Sequence, residues 1–301
     1  MTIARVAVIG LGLIGGSVGL AMRDMQPGIA TTGWDADSAV RERAAARGLV
    51  ATVCDSIAEA VGEADLVILC VPVGAMGYAA EAIAPHLQPG TIVSDVGSSK
   101  ESAGAALRAA LPDAVVIPAH PVAGTEKSGP EAGFPELFRH RWCIVTPPAD
   151  APQEAVDALT GFWEGLGAKV EIMDAAHHDL VLAVTSHIPH LIAYTIVGTA
   201  SDLEDVTRGE VIKYSAGGFR DFTRIAASNP TMWRDVFLSN RDAVLEVLGR
   251  FTEDLSLLQR AIRNGDGDTL FELFERTRAI RRSIIEEGQD DARPDFGRKD
   301  H

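Results

Sequence analysis

VAVIGLGLIGG, Val6 to Gly16, decides the fold. Val6 to Ile9 form a short apolar, β-branched run of the kind that makes a buried strand. Gly10-Leu11-Gly12-Leu13-Ile14-Gly15 follows at once and opens a helix. Gly10 allows the tight turn, Gly12 lets the backbone approach a pyrophosphate, and Gly15 lets helix and strand pack closely. The N–H groups at the helix start, around Leu13 and Ile14, then face phosphate oxygens. Alone, these glycines also fit an ordinary packing turn. Asp35 strengthens the reading: it lies twenty residues after Gly15, at the end of the next strand-like run, where a carboxylate accepts hydrogen bonds from ribose hydroxyls. Ala36 and Asp37 follow it without the Arg that would neutralise a 2′-phosphate, so NAD is favoured over NADP, with Arg41 the nearest competing cation. Val71, closing the run ADLVILCVP, is placed beside the cofactor.

Working outward, strand-like runs continue through ATTGWD (30–35), ADLVILCVP (64–72), TIVSDVG (91–97), AVVIPAHP (114–121), WCIVTPP (142–148) and AKVEIMD (168–174). Ala-rich helical segments such as SAVRERAAARG and GYAAEAIAPHL lie between them. This alternation predicts an α/β fold of Rossmann type, doubly wound, with a mainly parallel sheet covered on both faces. From about Asp174 the period changes to three and four residues through DLVLAVTSHIPHLIAYTIVG, WRDVFLSNRDAVLEVLGRFTEDLSLLQRAI and DTLFELFERTRAIRRSIIEEG. The expected division is residues 1–173 for the NAD-binding domain, 174–290 for an all-helical domain and 291–301 for a polar tail.

Composition narrows the function. The 301 residues carry 27 Lys plus Arg against 42 Asp plus Glu, a formal charge of −15, so neither nucleic acid nor an anionic membrane is an expected partner. An anionic substrate would need a local cluster of positive groups. Three dispersed cysteines suggest no disulfide framework and fit a reducing cytoplasm. The uncharged stretch 6–22 superficially resembles a signal-peptide core, but five glycines interrupt it, and export is not expected.

Four further motifs stand out: DVGSSK (95–100), HPVAGTEKSG (120–129), SHIPH (186–190) and GGFRDFTRIAASNPTMWRD (217–235). In this order, behind GLGLIGG and before a helical half, they resemble the prephenate and arogenate dehydrogenase family of tyrosine biosynthesis over about residues 5–255. The resemblance implies oxidative decarboxylation of a cyclohexadienol, prephenate or arogenate, with NAD as hydride acceptor. It also implies a homodimer through the helical half, which would then serve both dimerisation and substrate binding. No segment resembling a chorismate mutase or a regulatory domain is recognised, so feedback by tyrosine would be expected at the active site itself.

By the same resemblance His120 is the catalytic histidine. The chemistry agrees, since a neutral imidazole on the ring hydroxyl helps hydride departure, an effect typically worth roughly 10²–10⁴ in rate. His120 is expected at the C-terminal end of a parallel strand, where open α/β sheets place ligands. Ser98 resembles the serine that touches histidine and substrate; Ser98 and Ser99 are also good N-caps for a helix starting near Lys100. Lys100, in a first helical turn, reads as solvated. Arg224 resembles the substrate-carboxylate arginine, for which a guanidinium offers two parallel donors. Glu126 and Asp221 match acidic positions in a network with Arg224, and Ser186, His190 and Trp233 match pocket walls. His187 reads as structural. His187 and His190 lie three apart with His177-His178 upstream, a spacing that could hold a metal, but no ligand with thiolate or paired-carboxylate spacing completes a set, so no metal is expected.

Two other readings fit part of the pattern. A β-hydroxyacid dehydrogenase also joins a Rossmann domain to helices but should present a catalytic Lys in the helical half. A non-catalytic NAD-sensing regulator would need neither His120 nor Arg224.

Overall fold

The computed structural model describes residues 2–125, 127–207, 213–214 and 217–286. Its first part runs β1 (Arg5–Ile9), α1 (Leu13–Met25), β2 (Ala30–Trp34), α2 (Ser38–Arg47), β3 (Thr52–Val53), α3 (Ile57–Val61), β4 (Leu66–Leu69), α4 (Met76–Ile83), β5 (Ile92–Asp95), α5 (Glu101–Ala110) and β6 (Val115–Val116). The six strands form one sheet in the order β3-β2-β1-β4-β5-β6, parallel throughout. Connections reverse direction at β1 and β4, so a crevice opens beyond the carboxyl ends of those two strands, the ligand position of such sheets.

Successive side chains on each central strand enter opposite faces. Val6, Val8, Leu66, Ile68 and Ile92 join one core, while Ala7, Ile9, Val67, Leu69 and Val93 join the other. That explains why these strands read as unbroken apolar runs: both faces are covered. The helices between them end where the sequence dictates, as at Gly48, which takes the left-handed conformation (φ 59°) after α2 and donates back to Ala44 and Ala45.

A second sheet was not expected. AVVIPAHP reads as one strand, but its two ends belong to different sheets: β6 completes the parallel sheet, and β7 (Ala119–Pro121) pairs antiparallel with β8 (Trp142–Val145). Pro118 has no N–H to donate to a ladder, so the run breaks there; its carbonyl instead accepts from Thr146 N at 2.9 Å. β8 then pairs parallel with β9 (Lys169–Ile172) across α6 (Gln153–Gly165), giving the order β7-β8-β9. The expectation for His120 is therefore corrected. It lies within a short antiparallel strand opposite Ile144, not at the end of a parallel one.

Beyond β9 the chain is helical. α7 (Ala175–Leu182) is capped by Asp174, whose side chain accepts from His177 N. A π-turn at Ala183–His187 leads into α8 (Ile188–Thr207). α9 (Gly217–Thr223), a 3₁₀ turn at Arg224–Ala227, α10 (Pro230–Ser239), α11 (Arg241–Asn264) and α12 (Gly267–Glu286) follow. The long apolar-periodic segment starting at Trp233 is thus two helices, broken at Asn240. By internal contacts the chain separates into Met1–Val247 and Leu248–His301. In the second unit, Gly265 (φ 66°) turns the chain between two helices, and Leu255, Leu257, Ile262, Phe271, Phe274 and Ile280 are exposed.

Candidate active site

The glycine turn lies at the β1–β4 crevice. Gly10 has φ 96°, and a Cβ there would stand 2.4 Å from the Cys70 carbonyl oxygen. A Cβ on Gly15 would fall 1.9 Å from the Gly10 oxygen, so both glycines are required by the fold itself. Gly12 differs. It is the N-cap of α1, and a Cβ added to it meets nothing within 4 Å. Packing gives no reason for a glycine there; a ligand lying against the backbone does. The α1 start carries no side-chain cap, which leaves the N–H groups of Leu13, Ile14 and Gly15 without acceptors inside the helix. Asp35 stands at the rim with Oδ2 accepting from Leu11 N (2.8 Å) and Oδ1 from Asp37 N (3.0 Å), so its carboxylate is fixed against the turn. Arg41 donates to the Asp35 carbonyl at 2.7 Å. Val71 borders the turn, its Cγ1 3.2 Å from the position a Gly10 Cβ would take. These residues form a cradle that fits a dinucleotide.

His120, 7% exposed, heads a chain of polar contacts. Its Nδ1 lies 2.9 Å from His178 Nε2, and His178 Nδ1 lies 2.8 Å from Asp179 Oδ1. Asp179 also accepts from Lys100 N (2.7 Å) and Glu101 N (3.0 Å), so it caps α5 from another element. That corrects the capping expectation: neither Ser98 nor Ser99 caps α5, and Ser99 Oγ instead meets Ser239 Oγ at 2.8 Å. The direction of the chain follows from its acceptor end. A carboxylate takes the His178 Nδ1 proton, His178 Nε2 is then the acceptor for His120 Nδ1–H, and the His120 lone pair is on Nε2. Burial, followed by the proximity of His178, Lys100 and His187, holds His120 well below the ordinary histidine range. His178 is also lowered, chiefly by burial. The pair is neutral at neutral pH.

A second cluster faces this one from the helical part. Ile188 N donates to Ala183 O, five residues back, which makes the π-turn. Pro189 has no N–H with which to continue an ordinary ladder, so a wider turn is the local solution. The turn exposes Ser186 O to His190 Nδ1 at 2.8 Å. His190 stacks on Trp233 with ring centroids 3.7 Å apart and 25° between planes. Burial lowers the His190 pKa, and the positive charge of Arg224 adds to that effect, which puts the guanidinium in this neighbourhood. Arg224 itself is exposed on its 3₁₀ turn; Tyr194 OH ties α8 to the end of that turn by donating to Ser228 O at 2.7 Å. His187, fully buried, accepts from Asn240 Nδ2 at Nδ1, and Asn240 also donates to the Asp179 carbonyl. Burial pushes His187 down to about 4, against the opposing Asp179 carboxylate and with His178 and His190 adding to the lowering. Its Nε2 is buried without a hydrogen-bond partner, beside the Ser98 backbone.

The structure therefore gathers His120, and through His187 the Ser98 backbone, with His190, Trp233 and Arg224 around them. Among the described residues no hydrogen bond joins Ser98 Oγ to His120. Asp221 is exposed on α9, one turn before Arg224, and Glu126 lies outside the described residues. Sequence reading missed His178, Asp179 and Asn240, and it misplaced Lys100, which is 1% exposed rather than solvated. The adjacent pair His178-Asp179 just inside a helix start was the available signal.

A parallel sheet with a glycine cradle, a buried neutral histidine and a helical extension define a nucleotide-binding enzyme of the dehydrogenase kind. Residues 18–172 match the nucleotide-binding domain of prephenate dehydrogenase, and residues 174–276 match its dimerization domain. The cyclohexadienyl dehydrogenase of Zymomonas mobilis is 46% identical over 285 residues, 94% of this chain and 97% of that protein. Two solved structures are also similar. Prephenate dehydrogenase from Aquifex aeolicus, in complex with hydroxyphenyl propionate and NAD+, has a TM-score of 0.87 at 30% identity, covering 94% of this chain and 99% of that one. Arogenate dehydrogenase from Synechocystis has a TM-score of 0.79 at 27% identity, covering 93% and 99%. The chain belongs to the prephenate dehydrogenase family.

Proposed function

We infer that the protein catalyses the NAD-dependent oxidative decarboxylation of prephenate to 4-hydroxyphenylpyruvate, with arogenate to tyrosine as the parallel reaction, in tyrosine biosynthesis. The observation that carries this reading is the His120–His178–Asp179 chain, which leaves a neutral imidazole with its lone pair on Nε2.

When bound, NAD supplies the hydride acceptor; Gly12, the N–H groups at Leu13 to Gly15, Asp35 and Val71 hold it. His120 Nε2 takes the proton of the ring hydroxyl as the hydride departs. After carbon dioxide has left and the ring is aromatic, the same nitrogen returns that proton to the phenolate oxygen, so the imidazole ends the cycle neutral. His178 and Asp179 hold the ring in the required tautomer and stabilise the transient imidazolium. Ser98 orients His120 and the substrate, Arg224 takes a substrate carboxylate, and Ser186, His190 and Trp233 form the ring wall. Glu126 and Asp221 position Arg224. Residues 1–173 carry the cofactor and 174–290 the substrate and dimer contacts, before a tail at 291–301. Exposed Val184, Ile196, Val197 and Leu203 fit burial against a second copy of the chain. Three free cysteines fit a cytoplasmic enzyme.

The test follows NADH formation with prephenate and with arogenate, each with NAD and with NADP. Turnover of at least one substrate with NAD in preference to NADP is expected. No turnover of either would remove the assignment.

A further inference from the structure

Lys100 is the least expected residue of the centre. Its side chain is fully buried, as is that of Asp95, and Nζ lies 2.5 Å from Asp95 Oδ2. Nζ also donates to the carbonyl of Ala119, the residue before His120, at 2.7 Å. Its backbone N–H, at the other end of the residue, donates to Asp179, the terminal member of the histidine chain. One residue thus contacts both ends of the His120–His178–Asp179 relay. Asp95 in turn accepts from Gly97 N, two residues short of Ser99, so the ion pair also anchors the loop that carries Ser98.

A buried ion pair is weak evidence for stability, because desolvation offsets much of its attraction. Its placement needs another reason. We propose that Lys100 is the positioning residue of the catalytic base: tied to the Ala119 carbonyl at one end and to Asp179 at the other, it sets the height of the His120 strand against Asp179. The proposal rests on the reading of His120 as the base. The groups facing His120 are His178 on α7, His187 on the π-turn and Lys100 itself. Cys143, on the neighbouring strand β8, has its pKa raised by burial and remains a neutral thiol. Burial lowers the Lys100 pKa while the Asp95 carboxylate opposes that shift; Lys100 is the one amine among these four, and its removal should let His120 bind a proton more readily.

The experiment uses the full-length enzyme with the double variant Asp95→Asn/Lys100→Met, which removes the cation without leaving a lone buried carboxylate, and His120→Asn as a benchmark. Cooperative thermal unfolding checks the fold, and NADH formation is followed from about pH 5 to 10. The double variant should lose roughly tenfold or more in kcat with KM for substrate and NAD within about twofold, a transition-state loss. The acidic limb of its kcat/KM profile should move to higher pH. A structural role alone would move stability and leave that limb in place. A folded double variant with kcat within about twofold and an unmoved limb overturns the proposal. Lys100→Arg supplies a second variant: keeping the cation, it should retain the limb while kcat falls, and wild-type kcat in it contradicts the clamp. His120→Asn separates the two ideas, because retained activity there removes the base itself and not only its support.

Discussion

Replacing His178 with Ala should slow catalysis without weakening substrate binding. His178 acts through His120: it accepts from His120 Nδ1–H and passes the contact to Asp179. In the Ala variant that N–H has no acceptor in a buried site. An unsatisfied buried donor costs about 1–3 kcal/mol, which disfavours the productive tautomer by roughly 5- to 150-fold against the one carrying the proton on Nε2. The expected loss in kcat is therefore about 10- to 100-fold, with KM for substrate and NAD within about threefold. His178→Gln, an amide that offers both an acceptor and a donor, should recover part of the loss. Steady-state NADH formation gives both constants, and a thermal melt verifies folding. A His178→Ala enzyme with kcat within twofold of wild type, or with a loss confined to KM, would refute the relay.

Other expectations follow from the same geometry. Gly12→Ala adds a Cβ that meets no protein atom; the melting temperature of the free protein should stay near wild type while NAD affinity, read by fluorescence titration, falls, and unchanged affinity would move the dinucleotide elsewhere. Arg224→Ala should raise KM for prephenate roughly 10- to 100-fold, the worth of a charge-assisted hydrogen bond, with little change in kcat; an unchanged KM puts the carboxylate on another residue. Stability should fall in acid through His187. The unfolded histidine binds its proton near pH 6.5, whereas the folded one waits until about 4. Between those values the unfolded state holds more protons, so about 3 kcal/mol is lost as pH falls through that window. Urea melts across it should show a shallower loss in His187→Gln, and an equal loss would assign the effect to other groups.

Much of the first half was legible in the sequence because local and global signals coincide there. Val6 to Gly16 is at once strand, turn, helix start and cradle, so its spacing carries fold and site together. The second sheet was not legible, since the only sign was Pro118 inside an otherwise continuous apolar run. β3, two residues long, had too little pattern to register. Within the site, His120 and Arg224 could be named from motif resemblance, but the groups that act on His120 could not. Lys100 and Asp95 look like ordinary loop and helix-start charges until tertiary packing buries both, and His178 shows its role only when α7 comes against β7. His120–His178 and Lys100–Asp179 are long-range pairings, 58 and 79 positions apart in the chain, and leave no local period.

The most direct measurement is kcat of His120→Asn with prephenate and NAD at neutral pH. A fall of about 10²-fold or more is expected, with KM for both ligands nearly unchanged, because the lost interaction is made only as the hydroxyl proton moves. A kcat near that of the wild-type enzyme would contradict it.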